Sequence, residues 1–121
     1  MRHVLLVGTD EACFETLKEE CAGSGFAITM VNSCEEAMAK AGEQTFDLVV
    51  VDETLADVTG LACVERLVKS NPLLNCAAIT SLSSDDFHEA SEGMGVLMGL
   101  PHCPGKDDVK KLLDHLNAVM L

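Results

Sequence analysis

Short apolar runs and helix-forming stretches alternate five times along this chain, and few folds accommodate that pattern. Residues 3–8 (HVLLVG), 26–31 (FAITMV), 46–51 (FDLVVV), 76–81 (CAAITS) and 95–99 (GVLMG) read as strands. They are runs of consecutive apolar residues, without strict apolar–polar alternation, as expected of strands covered on both faces. Between and after them lie helical patterns over 10–22, about 34–42, 60–70, about 85–92 and about 106–119. The breaks have chemical causes. Gly23-Ser24-Gly25 ends the first helix, Asn32-Ser33 offers an N-cap for the second and Ser83 or Ser84 one for the fourth, Gly42 closes the second helix, and Asn71-Pro72 stops the third. On the third helix Leu61, Val64, Leu67 and Val68 share a face; on the last, Val109, Leu112, Leu113, Leu116 and Val119 do. Strands alternating with helices of this length predict an α/β, doubly wound, five-stranded parallel sheet in a three-layer sandwich with right-handed crossovers. With 121 residues the expectation is a single domain over 1–121.

Composition narrows the functions open to such a domain. The formal net charge of −12 repels phosphate backbones and anionic lipid, so direct nucleic-acid or membrane binding is not expected. Trp and Tyr are absent and Phe occurs four times, which leaves little aromatic surface for stacking a base or a flavin. No apolar run approaches the length of a membrane span, and the apolar start is too short for a signal peptide, so a cytoplasmic location is expected. Six cysteines, Cys13, Cys21, Cys34, Cys63, Cys76 and Cys103, show no C-x-x-C pair and no repeated spacing. The expectation is six reduced, unpaired thiols acting as small apolar side chains. His3, His88, His102 and His115 share no metal-ligand spacing, and the adjacent His102-Cys103 has no partner pair in the sequence. Gly93 to Gly99 does not follow a strand and open a helix, so a dinucleotide loop is excluded.

In an open parallel sheet the working site lies at the carboxyl ends of the strands. The residues there are Gly8, Thr9 and Asp10 after the first strand, and Asp52, Glu53 and Thr54 after the third. Thr80 and Ser81 follow the fourth, and Leu100 and Pro101 the fifth. Asp52 stands out, since it emerges from a strand that reads as buried, at that edge; from position alone it is either a functional acid or a loop-capping group.

The segment F-D-L-V-V-V-D-E-T-L-A-D-V-T-G-L (46–61) resembles the phosphoacceptor region of response-regulator receiver domains, the CheY-like family. There an apolar strand ends in an Asp that accepts phosphate from a histidine kinase, with a Pro four residues on and a Gly eight residues on. Asp52 and Gly60 keep that spacing; Ala56 replaces the Pro. Ala77-Ala78-Ile79-Thr80-Ser81 resembles the family's switch strand, which implies that Thr80 is the switch hydroxyl. The resemblance extends over the whole chain and implies a flavodoxin-like sheet in the order 2-1-3-4-5. It also exposes departures. Where the family holds Mg²⁺ with two adjacent acids, this chain has Gly8 and Thr9, with Asp10 one residue beyond. Where a Lys precedes the Pro after the fifth strand, it has Leu100 before Pro101. The fifth strand's switch aromatic is replaced by Leu97.

The resemblance thus implies a receiver of a two-component phosphorelay that acts as a protein-interaction switch and not as an enzyme. Asp52 is its phosphoacceptor candidate, Thr80 its switch, and Thr9, Asp10, Thr54, Leu100 and Pro101 line the pocket. Phe87, Met94, Leu97 and Met98 would form the partner face. Only Asp10 and Asp52 remain as weak Mg²⁺ ligands, so no cofactor beyond weakly held Mg²⁺ is expected and Mg²⁺-dependent phosphorylation should be impaired or absent. The expected partners are proteins, among them a histidine kinase or another regulator, and a homodimer stays open. Two alternatives stand beside this reading: a weak but genuine phosphoacceptor at Asp52, and a flavodoxin-like protein binding a small ligand.

Overall fold

The computed structural model describes residues 2–120. Five strands, β1 (Arg2–Val7), β2 (Phe26–Val31), β3 (Leu48–Val51), β4 (Cys76–Ile79) and β5 (Val96–Leu100), pair in parallel in the order β2-β1-β3-β4-β5. Five helices connect or follow them: α1 (Glu15–Gly23), α2 (Cys34–Glu43), α3 (Gly60–Ser70), α4 (Ser84–Ala90) and α5 (Lys106–Val119). The predicted topology is the one observed.

Successive side chains of a strand point to opposite faces of the sheet, and both faces here are covered. Val4 and Leu6 of β1, with Leu48 and Val50 of β3, pack against Leu17 and Cys21 of α1 and Val109, Leu112 and Leu116 of α5. Leu5 and Val7, with Val49 and Val51, pack against Cys34 and Ala37 of α2 and Cys63, Val64 and Leu67 of α3. These side chains are essentially inaccessible to water. Each Val or Leu among them contributes about 1.5–3 kcal/mol through burial. That two-sided coverage is why the strands read as unbroken apolar runs.

Two helix starts follow the predicted chemistry, whereas Gly42 does not close α2, which runs on through Glu43 to a C-cap at Gln44. Ser33 Oγ accepts the Glu36 N–H and Ser83 Oγ accepts the Asp86 N–H. Thr59 Oγ1 accepts the Ala62 N–H at the start of α3. Each satisfies one of the amides that a first helical turn leaves unpaired.

Several boundaries differ from the sequence reading, for local reasons. The first helical stretch opens as a 3-10 turn over Glu11–Phe14, because Asp10 Oδ1 accepts the Cys13 N–H before the α-helix begins at Glu15. β3 starts two residues late: the Asp47 carboxylate takes the His3 N–H at 2.7 Å, so a side chain substitutes for part of the ladder. β4 stops at Ile79, and Thr80 and Ser81 turn away toward Glu53, although the Thr80 N–H still reaches the Leu100 carbonyl at 2.8 Å. β5 is shifted one residue on, to end at Leu100.

One expectation is overturned. The six thiols are not all free: Cys13 and Cys103 form a disulfide across 90 residues of sequence, while Cys21, Cys34, Cys63 and Cys76 are free and buried. Irregular spacing along the chain carries no information about this pair, because the crossovers bring the 3-10 turn and the β5–α5 loop to the same end of the sheet. Thiol titration of denatured protein, purified without reductant, is expected to find four thiols per chain; six would remove the disulfide.

Candidate functional site

The carboxyl ends of β1, β3, β4 and β5 bring together the residues singled out from the sequence. Asp52 is the one buried charged residue among those described, 7 % exposed. Its N–H donates to the Val7 carbonyl at 2.8 Å, which locks β3 to β1, and its Oδ1 accepts the Glu53 N–H at 2.7 Å. Among the described residues no buried side-chain nitrogen or oxygen lacks a partner.

Two glycines permit that placement. A Cβ on Gly60 would overlap the Asp52 carbonyl oxygen and lie 3.0 Å from its carbonyl carbon. The start of α3 therefore rests directly on the main chain at Asp52, tied there by a 2.8 Å bond from the Gly60 N–H to the Glu53 carbonyl. A Cβ on Gly8 would overlap the ring of the fully buried Phe14 and stand 3.1 Å from Asp52 Cβ. The end of β1 thus lies against Asp52 with Phe14 filling the space beside it.

The other candidates occupy several different settings. Thr9 and Asp10 are exposed and line a shallow depression with Gly8, Glu11, Met30, Val31, Asn32 and Glu36; the Asp10 carboxylate is engaged in capping the 3-10 turn. Thr54 is exposed and bridges to Thr59 across the β3–α3 loop. Leu100 is buried in the α1/α5 side of the core, and Pro101 is exposed at its edge. An open groove of about 680 Å³ runs between α4 and β5, lined among others by Thr80, Leu97, Met98, Gly99, Pro101 and His102. Phe87 is 7 % exposed and forms the groove's inner wall; Leu97 and Met98 are half-buried. Met94, also half-buried, packs toward the α2/α3 side. Among the described residues, no lysine or arginine lines this groove, the Thr9–Asp10 depression, or the third cavity at this edge, which contains Glu53, Thr54 and Thr80.

The residue that sequence reasoning passed over is Glu53. Its Oε2 accepts the Ser81 N–H at 2.8 Å, the Ser81 hydroxyl at 2.9 Å and, at a longer 3.5 Å, the Thr80 hydroxyl. The Ser81 backbone bond, followed by the Ser81 hydroxyl, holds the Glu53 carboxyl below the usual glutamate range. Thr80 Oγ1 in turn accepts the Leu82 N–H at 3.0 Å. A carboxylate at the end of β3 therefore organises the β4–α4 turn. Asp57 was likewise passed over: it accepts the Cys34 and Glu35 N–H groups and so ties the β3–α3 loop to the start of α2. Nothing in the sequence marks either contact, since each joins residues more than 20 positions apart.

Comparison with known proteins agrees with this architecture. The response regulator receiver domain model matches residues 4–112. The transcriptional regulatory protein ZraR of Escherichia coli K12 is 30 % identical over 81 residues, covering 67 % of this chain and 18 % of that protein. A response regulator receiver protein of Anaeromyxobacter is 29 % identical over 101 residues, 84 % of this chain and 42 % of that protein. Among solved structures, a CheY-like receiver domain protein from Methanospirillum hungatei superimposes with a TM-score of 0.83 at 21 % identity, covering 98 % of this chain and 95 % of that one. TrrA of Thermotoga maritima, crystallised with Mg²⁺ and beryllofluoride, superimposes with a TM-score of 0.80 at 23 % identity, covering 96 % and 99 %. This chain belongs to the response-regulator receiver domain family. It spans about a fifth of the length of the ZraR proteins it matches.

Proposed function

We propose that this chain is a receiver domain of two-component signalling in which Glu53 does internally what a phosphoryl group on Asp52 does in the family, so that the domain works as a protein-interaction module with impaired Mg²⁺-dependent phosphorylation. The single observation that carries this reading is the Glu53 carboxylate bonded to Ser81 and Thr80. By its resemblance to the family's switch strand, Thr80 is the hydroxyl that answers an anion at the end of β3. Here an anion already stands there, built into the residue after Asp52.

The surroundings of Asp52 support the second half of the reading. Mg²⁺ takes near-octahedral oxygen coordination and is usually held through one or two carboxylates. Gly8 and Thr9 supply none, Asp10 caps the 3-10 turn, and one Asp52 oxygen is committed to the Glu53 amide. This donor set does not fit the ion. With no lysine or arginine among the described residues that line the cavities of this edge, a phosphoryl group also lacks a fixed counter-charge. The receiver family match over residues 4–112 also weighs against the flavodoxin-like ligand-binding alternative. The groove between α4 and β5 is the surface offered to a protein partner, a histidine kinase or another regulator. Leu97 and Met98 give it an adaptable apolar floor.

Beryllofluoride with millimolar Mg²⁺, followed by amide NMR, is expected to produce no saturable shifts at Asp52, Thr80 or Ser81. Saturable binding that vanishes in Asp52→Asn would establish a working phosphoacceptor and overturn the proposal. In a second experiment, Glu53→Ala is expected to raise hydrogen exchange at Ser81 and Leu82 by about tenfold or more while the sheet amides stay protected, as for loss of a charge-assisted bond. The pH dependence has a definite sign. The folded carboxyl titrates below its unfolded value, so its hold on the turn is complete above the ordinary glutamate range and is lost as pH falls through the folded value. The Ser81 amide shift should therefore titrate with a midpoint below that range, and be flat with pH in Glu53→Gln.

A further inference from the structure

Three metal-ligating side chains lie together at the Asp52 end of the sheet, two of them cysteines with no part in the receiver reading and the third His102, which lines the mouth of the α4–β5 groove. Cys13 lies in the 3-10 turn that follows β1; His102 and Cys103 lie in the loop that follows β5. Cys13 Sγ and His102 Nε2 are 3.5 Å apart, and one donor atom from each of the three residues lies within 4.8 Å of the others. In a tetrahedral zinc site, with Zn–S about 2.3 Å and Zn–N about 2.0–2.1 Å, the sulfur-to-nitrogen edge is about 3.6 Å. The Cys13–His102 separation already has close to that value. Cys13 is buried beneath the loop, whereas His102 and Cys103 are exposed, so an ion can reach the donors from solvent. Cys103 adopts φ 50°, a left-handed conformation uncommon outside glycine, at the turn that sets its sulfur against Cys13.

We propose that, once the Cys13–Cys103 bond is reduced, the two thiolates and the His102 imidazole bind a soft divalent metal ion of the zinc class, with water in the fourth position. The disulfide and the metal site are alternative states of the same two sulfurs. Two thiolates and an imidazole form a donor set suited to Zn²⁺ and poorly suited to Mg²⁺ or Ca²⁺. The site would clamp the β1–α1 connection to the β5–α5 loop. The remaining four cysteines are buried. Burial pushes the Cys21 thiol up to about 11 and the Cys76 thiol up to about 12, and raises that of Cys63 as well.

The chemistry balances with a water-soluble phosphine as reductant. Phosphorus gives two electrons to the disulfide, water supplies the two protons of the new thiols, and its oxygen leaves as phosphine oxide. Metal binding then releases both thiol protons to the buffer.

The test titrates Co²⁺, and Zn²⁺ in competition, into the full chain reduced with phosphine. The expected result is one equivalent bound, with a thiolate-to-cobalt charge-transfer band that Zn²⁺ bleaches. The oxidised chain should show no band. Cys13→Ser and Cys103→Ser should abolish the band, and His102→Ala should weaken Co²⁺ binding by about tenfold or more. Cys103 is exposed, so Cys103→Ser should keep a native circular dichroism spectrum even if Cys13→Ser, at a buried position, does not. Cys76→Ser should leave the band unchanged. Absence of the band in the reduced chain, its survival in Cys103→Ser, or unchanged affinity in His102→Ala would each overturn the assignment.

Discussion

Gly60→Ala is expected to destabilise the domain by about 3 kcal/mol, lowering Tm by roughly 10 °C. The added Cβ would overlap the Asp52 carbonyl oxygen and meet the Glu53 Cα at 3.4 Å. These are main-chain atoms at the end of a buried strand, so no side-chain rotation relieves the collision. Either α3 lifts from the sheet, opening the packing of Cys63, Val64 and Leu67, or the Asp52–Glu53 peptide tilts and breaks the bond between Gly60 N–H and the Glu53 carbonyl. The second route also moves the Glu53 carboxylate off Ser81. Thermal unfolding measures the first quantity, and exchange at the Ser81 amide the second. Gly42→Ala is the control: it lies inside α2, with nothing within 4 Å of the place its methyl group would take, and should be stabilising by about 0.5–1 kcal/mol. Equal effects at the two positions would mean that the close approach at Gly60 does not govern stability.

Gly8→Asp should cost about 3 kcal/mol by itself and should not create a Mg²⁺ site. Its Cβ would overlap the Phe14 ring, and its carboxylate would arrive beside the buried Asp52 as a like charge. The clashing atoms are Cε2 and Cζ of Phe14, which Leu lacks. Phe14→Leu alone should cost about 1 kcal/mol through the space it leaves. The double variant is therefore expected to be at least about 1 kcal/mol more stable than the sum of the single changes. Adding Thr9→Asp and Leu100→Lys to that double variant should yield Mg²⁺-dependent beryllofluoride binding, whereas the same additions without Phe14→Leu should not. Urea unfolding of the four corners of the Gly8/Phe14 cycle reads the coupling. Additivity within about 0.3–0.5 kcal/mol would show that Phe14 is no obstacle, and that the glycine at position 8 has some other origin.

The sequence by itself determined the class of fold, because its signal is local and repeated. Unbroken apolar runs such as Leu48–Val51 require cover on both faces, and Ser33 and Ser83 mark helix starts within three residues of the amides they satisfy. The spacing of Asp52 and Gly60 was legible too, since the loop from β3 into α3 is a stretch of contiguous chain. Boundaries slipped where a side chain replaced a ladder bond, as Asp47 does for His3.

Only the tertiary structure decided how the site is held together, since its contacts join positions far apart in the chain. Glu53 reads as one more surface acid until β3 and β4 lie side by side and Ser81 is 2.8 Å away. Phe14 reads as a helix residue until it is seen to fill the space beside Gly8. Cys13 and Cys103, with no spacing motif between them, meet because the first and last crossovers deliver both loops to one end of the sheet. Parallel strands with right-handed crossovers gather residues from four separate loops at one edge. Which of those residues touch depends on rotamers and on loop paths a few residues long, and those are set by packing that no local pattern encodes.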